Sequence, residues 1–496
     1  MAIIPLYSKS FVKDNAGVIV GHILIAIKGF ILMPVIIKTV GITAYGGFVL
    51  LSSILSIVFG ISTFGAGFRA QRFLPSTSNI TTRRELFYCQ FFFQMFSILF
   101  LSLLFFLLNR QVNVNIFNNE ISYSAWIIPL YLISYTIYSQ GSLYLRYTSR
   151  TNYMIIANIS FAYINIGLIL LYYYNYNFMS IDMLFISQIL AATIIAVPCF
   201  TIIFREIGIE FTFYSMRNLI SDIKIGFPLV LNFIVDFILA ASDRYLIALY
   251  LTVSSVGYYN PGYVLGSFIV LIPKAMGTVL PQLMSKAVDN KNENEAQRML
   301  NYSLKIFLLL AIPFIFGTIV FGKRILTLLA NREIAENAYV VTSIVALGAL
   351  FYGLYIIISN VLFVRMKTFA MFKINLSASL FNLLANLIFL YFFKNIIVTA
   401  FTTFFSYFIA FMYAYKIVKK DWSMDFQSVV IIKSVLASLF MGCFLFWISF
   451  NSDNNDSISM LISEIVLGIV IYFGALLVLK TFSTKELAFF LNKPKL

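Results

Sequence analysis

The sequence predicts an all-α, polytopic membrane helical bundle. About 14 transmembrane helices form two pseudo-symmetric six-helix lobes followed by two C-terminal helices. Three observations lead there. Of 496 residues, 61% are apolar and only 11% charged, and the mean hydropathy is +0.91, far above what a soluble core needs. A window of about 19 residues picks out fourteen apolar runs. With the amino terminus in the cytoplasm, 26 of the 35 Lys and Arg residues fall on the cytoplasmic side, six fall outside and three stay within spans. That bias is the positive-inside rule, and it places both termini in the cytoplasm. The net charge of +15 is therefore topological, and no nucleic-acid partner is expected.

In order, the spans fall near 17–39, 46–68, 86–108, 124–145, 154–173, 183–204, 225–249, 257–281, 304–322, 339–364, 370–392, 396–416, 428–450 and 458–479. The first lies behind Lys9 and Lys13 and lacks a small-residue cleavage site, so it is expected to remain as a span. The longest loops, around 205–224 and 282–303, are cytoplasmic and about 20 residues each, too small for a folded domain. Spans 1–2 and 7–8 share a plan: a Pro-bearing helix, a short outer turn with a Gly–Tyr element, then a second helix. Six spans separate the pairs, so both halves have the same orientation about an axis along the membrane normal. This sets an N-terminal lobe at 1–206, a C-terminal lobe at 207–420, and appended spans 13–14 with a tail at 421–496.

Charged residues inside spans are costly, about 3 kcal/mol or more at the centre, and mark wet cavities or partners. Lys28 lies almost midway along span 1 and Asp236 close to midway along span 7. They are expected to line a central cavity and to pair across it in one state of a cycle, against the plainer account of a structural pair. Asn232, Asp236 and Asp243 share one helix face. Asp243 and Arg244 sit roughly five residues, about 7 Å, beyond the middle of span 7 toward the outer face, shallow enough for an interfacial pair. Lys274 follows Pro273 in span 8, where the missing backbone N–H and the charge together favour water. His22 is the chain's single histidine, a candidate proton relay although a lone His is more often simply satisfied. Glu464 in span 14, outside the two-lobe core, is expected to have a packing or peripheral role. Cys89, Cys199 and Cys443 have no CxxC spacing and no partner His, so no metal or cofactor is expected. The 53 Phe and 30 Tyr residues supply interfacial belts, and some could stack on sugar rings. No GxxxxGK[ST] or HExxH occurs and no outer loop has room for a catalytic domain, so the chain reads as a non-enzyme.

Three segments carry a resemblance: VGITAYGGF, FGISTFGAGFRAQRF and IGFPLVLNFIVDFILAASDRYLIALYLTVSSVGYYNPGY. They resemble bacterial polysaccharide exporters, more narrowly the O-antigen flippases of the multidrug/oligosaccharidyl-lipid/polysaccharide superfamily. The likeness in length and span number covers roughly residues 10–480, and the motifs lie in spans 1–2 and 7–8. It implies a V-shaped bundle in the bacterial inner membrane. The bundle would move an undecaprenyl-diphosphate-linked oligosaccharide between leaflets by alternating access, coupled to Na+ or H+. It would work beside membrane lipid, a polysaccharide polymerase and a chain-length regulator. Lys28, Lys274 and Arg244 would then meet substrate, while Asp236, Asp243 and Asn232 serve ion coupling. Acidic residues on span 7 depart from a purely cationic cavity: Asp236 either serves coupling or neutralises Lys28 when substrate is absent. Two alternatives share the fold, a multidrug/cation antiporter and a peptidoglycan-precursor flippase. A membrane-embedded O-antigen polymerase is an enzyme alternative, disfavoured by the short outer loops. Sugar composition, coupling ion and oligomeric state are not encoded legibly.

Overall fold

The computed structural model describes residues 9–481 apart from 76, 78, 149, 177–178, 213–215, 427 and 452–456. Side chains at 9–20, 22, 23, 26, 68, 216, 217 and 449–451 are outside the described set. Among the described residues the secondary structure is helical throughout, without strands. The order begins α1 (Lys9–Val40), α2 (Ile42–Ser62), α3 (Phe68–Phe73), α4 (Ile80–Asn115), α5 (Ile127–Tyr147), α6 (Thr151–Tyr176) and α7 (Ile181–Ile207). It continues with α8 (Met216–Tyr250), α9 (Val253–Gly266), α10 (Leu271–Asp289), α11 (Glu293–Leu329) and α12 (Arg332–Val364). Last come α13 (Thr368–Phe393), α14 (Ile396–Val418), α15 (Ser428–Asn451) and α16 (Ile458–Val478).

Every expected span has its helix, and twelve of these, with α9 and α10 taken as one, are long and apolar enough to cross a membrane. The other two are α1 and α5. The sequence of α5 is diluted by Ser134, Thr136, Gln140 and Ser142, all buried. Those side chains face protein rather than lipid, which explains how a less apolar helix holds a place in the bundle.

Two loops differ from expectation. The segment 282–303 is almost entirely helical, because α10 continues to Asp289 and α11 starts at Glu293. Asn292 caps α11 by accepting from the Glu295 N–H at 3.2 Å, and Glu293 and Glu295 in the first turn complement the helix dipole. The 205–224 loop likewise shrinks, since α7 ends at Ile207 and α8 begins at Met216. Helices such as α4, α8 and α11, at 36, 35 and 37 residues, run about 50 Å and overshoot a hydrocarbon layer of about 30 Å. Span 8 is broken by a 3₁₀ turn at Ser267–Val270. Pro273 has no N–H to give the Ile269 carbonyl, and the Leu271 N–H turns to Phe268 and Ile269 instead.

The chain packs as two compact units, Met1–Asn260 with Leu383–Asn395, and Pro261–Asn382 with Ile396–Leu496. In the first, α5 packs against α4, α6 and α7. In the second, α12 packs against α10, α11 and α14, with Gly353 against the Phe307 ring. Here α16 is fastened to α11 by a buried Arg324–Glu464 pair at 2.6 Å, and the Tyr472 hydroxyl donates to the Leu309 carbonyl at 2.7 Å. Glu464 thus packs within the bundle.

Candidate functional site

Lys28 sits on α1 and is half-buried, with its ammonium 5.1 Å from the centroid of the Phe161 ring on α6. Among the described residues no carboxylate lies within ion-pairing distance of it. A cation held over an aromatic face keeps its charge available to an incoming anion. Asp236 is exposed on α8, and Asn232, one turn earlier, donates to its Oδ2 at 3.1 Å. Lys28 and Asp236 are therefore not paired with each other.

Asp243 lies about two turns beyond Asp236 and on the same face, yet it is only 3% exposed. The reason is that α2 and α9 close over this part of α8. Asp243 accepts from the Tyr259 hydroxyl at 2.8 Å and from the Arg244 backbone N–H at 2.8 Å. Arg244 is buried as well: its Nε donates to Asn260 Oδ1 at 3.0 Å and its Nη1 to the Ala240 carbonyl at 2.8 Å. Asn260 in turn donates to the Tyr45 hydroxyl at 2.8 Å. The expected interfacial Asp243–Arg244 pair is instead the centre of a buried network linking α8, α9 and α2. Buried charges persist only when such partners surround them.

The network rests on very close backbone packing. A Cβ on Gly46 would lie 2.2 Å from the Val253 carbonyl oxygen, and one on Gly257 would lie 2.4 Å from the Ile42 carbonyl oxygen. Between these contacts the Thr43 and Ser254 hydroxyls meet at 2.6 Å. At the opposite end of α2, Gly65 (φ +77°) meets Gly226, where either Cβ would come within 2.2 Å of the other's backbone. Arg69 pairs there with the buried Asp222 at 2.9 Å. One seam between α2 and the α8–α9 hairpin is therefore closed at both ends.

A family profile described as MatE matches residues 228–388. Among solved structures, the chain is similar to the lipid II flippase MurJ in an inward closed conformation. The TM-score is 0.68 at 19% identity, covering 94% of this chain and 98% of that one. It is also similar to an inward-facing multidrug resistance MATE family transporter of the MOP superfamily, at TM-score 0.64 and 11% identity over 84% of this chain and 96% of that one. A third is the Vibrio cholerae MATE transporter VcmN, at TM-score 0.59 and 15% identity over 82% and 95%. The chain shares the fold of these transporters. No curated protein matches the chain.

On this fold, Lys274 is exposed on α10 and, among the described residues, has no carboxylate partner. The His22 side chain lies outside the described residues. A cavity of about 480 Å³ in the second unit is lined by Leu308, Ile312, Phe316, Leu347, Phe351 and other apolar side chains. With no polar group in its wall it suits hydrocarbon, not a phosphate or a sugar. No group of three or more His, Cys, Asp or Glu able to hold a metal occurs among the described residues. Sequence reasoning missed Tyr45, Tyr259 and Asn260. The signal was present in the two Gly–Tyr elements of the repeat, which turn out to touch each other.

Proposed function

We propose that the chain is a flippase for an undecaprenyl-diphosphate-linked O-antigen repeat unit or a similar lipid-linked oligosaccharide. It would carry the unit from the cytoplasmic to the outer leaflet of a bacterial inner membrane, by alternating access coupled to a Na+ or H+ gradient. The observation that carries this reading is Lys28, a half-buried ammonium on α1, midway along the expected span 17–39, with no carboxylate partner among the described residues. A diphosphate passing through a low-dielectric layer needs a cation there, and a cationic drug would be repelled by it. The fold it shares with a lipid II flippase supports the same reading.

In this reading Lys28 and Lys274 meet the phosphates, and Asp236 with Asn232 serves ion coupling. Arg244 and Asp243 are engaged in the closed seam, so a direct role for either requires that seam to open. His22 stays a candidate relay only for a proton-driven cycle. The two six-helix lobes of the sequence reading gain support from the seam, where Ile42, Thr43 and Gly46 meet Val253, Ser254 and Gly257 in matching register. A polysaccharide polymerase and a chain-length regulator would act on the exported unit.

The exposed Asp236 favours one second reading, a cation antiporter on the same fold. A deletion strain separates the two. Its lipid-linked glycans are extracted and its surface polysaccharide is run beside that of a polymerase-deletion strain. One finished repeat retained on the carrier, with none at the surface, is the expected result. A single repeat still reaching the surface would point to a polymerase, and unchanged polysaccharide would point to an antiporter.

A further inference from the structure

Residues 116–126 join α4 to α5 at the end of the first unit that the distribution of Lys and Arg puts outside. Their base is fastened to the helices around it. The Tyr123 hydroxyl donates to Asn109 Oδ1 on α4 at 2.7 Å, and the Phe117 ring meets the Tyr123 ring edge-on at 6.0 Å. The Ser124 N–H and hydroxyl both donate to the Asp182 carboxylate in the first turn of α7, at 2.9 and 2.5 Å. Before this base the chain turns sharply. Asn118 and Asn119 are left-handed, with φ of +50° and +58°, a conformation that asparagine tolerates. The Glu120 N–H closes the turn on the Phe117 carbonyl at 2.7 Å.

The tip of the turn reaches both sides of the seam. On the α2 side, Ile121 is buried against Gly47, where a Cβ would lie 2.6 Å from its side chain. On the other side, Glu120 Oε2 accepts from the Val253 N–H at 3.1 Å, and Asn118 Nδ2 donates to the Ala248 carbonyl at 3.4 Å. Both backbone groups are of the kind that helix ends leave without partners, since α8 stops at Tyr250 and α9 starts at Val253. A carboxylate at a helix N-terminus is favoured by the dipole and makes a strong, charge-assisted hydrogen bond. Val253 is thereby held twice, its N–H by Glu120 and its carbonyl by the close approach of Gly46. Phe117 and Ile121 are buried while Glu120 is exposed, so water can compete for the bond that fastens the tip to α9.

We propose that residues 117–124 are an outer latch on the seam, and that Glu120 is its release point. When α8 and α9 part from α2, the base stays with α4 and α7 while the Glu120–Val253 and Asn118–Ala248 bonds break. Those bonds stabilise the closed seam and not the open one, so they set how often it opens. The assignment rests on the alternating access of the flippase reading and holds whatever the cargo is.

The test uses the full-length protein in lipid nanodiscs, with Cys443→Ser and one reporter cysteine. Ser254→Cys reports the outer end of the seam, and Ala66→Cys, buried beside Gly65, reports the inner end. The rate at which a small maleimide labels each reporter measures how often that end opens. Glu120→Ala is expected to speed labelling at the outer reporter about tenfold without raising it at the inner one. Glu120→Gln keeps an acceptor and loses the charge, so its rise should be smaller. Should Glu120→Ala fail to fold, Asn118→Ala, which removes the bond to Ala248, decides through the same two reporters. An unchanged outer rate in a folded variant overturns the latch and leaves alternating access standing. An equal rise at both reporters also overturns it, as a general loosening of the fold. An outer reporter that is labelled only after denaturation, with or without Glu120, removes opening at this seam and the alternating-access reading with it.

Discussion

Lys28 and Arg244 are both cations in apolar helices, and their surroundings assign them different work. Lys28 has an aromatic face beneath it and no carboxylate partner among the described residues, so its charge is open to a ligand. Arg244 is held by Asn260, Asp243 and the Ala240 carbonyl. Lys28→Ala is expected to cut delivery of repeat units at least about tenfold while Lys28→Arg retains most of it, read as surface polysaccharide in the complemented deletion strain. Arg244→Ala should instead destabilise the fold by about 3 kcal/mol, because Asp243 and Asn260 would be left buried without their partner. Thermal unfolding checks it, and an unchanged melting temperature would argue against the network. The sequence made both cations visible, since a charge in an apolar run stands out. It could not separate their roles, because the separation depends on which helices close over each one. Tyr45 was hidden for a simpler reason: in a chain with 30 tyrosines, no single one stands out.

Among the elements, α2 and the α8–α9 hairpin form a seam on which the proposed alternating access would act. Glycines at both ends allow the backbones to touch, so a side chain there acts as a wedge. Gly46→Val is expected to force the Val253 carbonyl away and to lower expression or transport sharply, whereas Gly29→Ala, with open space around it, should be tolerated. Transport assays on both variants check the contrast. Thr43→Cys combined with Ser254→Cys should cross-link under oxidation, since their native hydroxyls are 2.6 Å apart. Transport should stop in the cross-linked protein and return on reduction; continued transport by the cross-linked form would show that the seam never opens. Element lengths were harder to read than element positions. Hydropathy located the fourteen helices but not the polar first turns of α11, because Asn292, Glu293 and Glu295 read as loop until their capping role is seen. The 3₁₀ break in span 8 also escaped, although Pro273 marks it in retrospect.

For the molecule as a whole, the distribution of Lys and Arg sets an orientation that can be measured. Of the described cysteines, Cys89 and Cys199 are buried and Cys443 is exposed. With Cys443 replaced, a cysteine placed at Asn331 is expected to react with an impermeant thiol reagent in intact cells, and one placed at Lys291 only after permeabilisation. The reverse pattern would invert the topology. The architecture at this scale was legible because a bilayer leaves a chain few options beyond apolar helices. The substrate was not, because a glycan is recognised by rings and hydroxyls that the same sequence also uses to pack its core.

The contacts around Thr43 and Ser254 share one register. Ile42 reaches Gly257 as Val253 reaches Gly46, and the central pair joins residues 211 positions apart. An i-to-j contact returned as j-to-i is the pattern of an isologous interface, normally found between two copies of one subunit. A half-length ancestor pairing about the same axis would have placed this hydroxyl against its own duplicate. Gene fusion would then have preserved the contact while the two copies diverged around it, one keeping a lysine at mid-membrane and the other an aspartate.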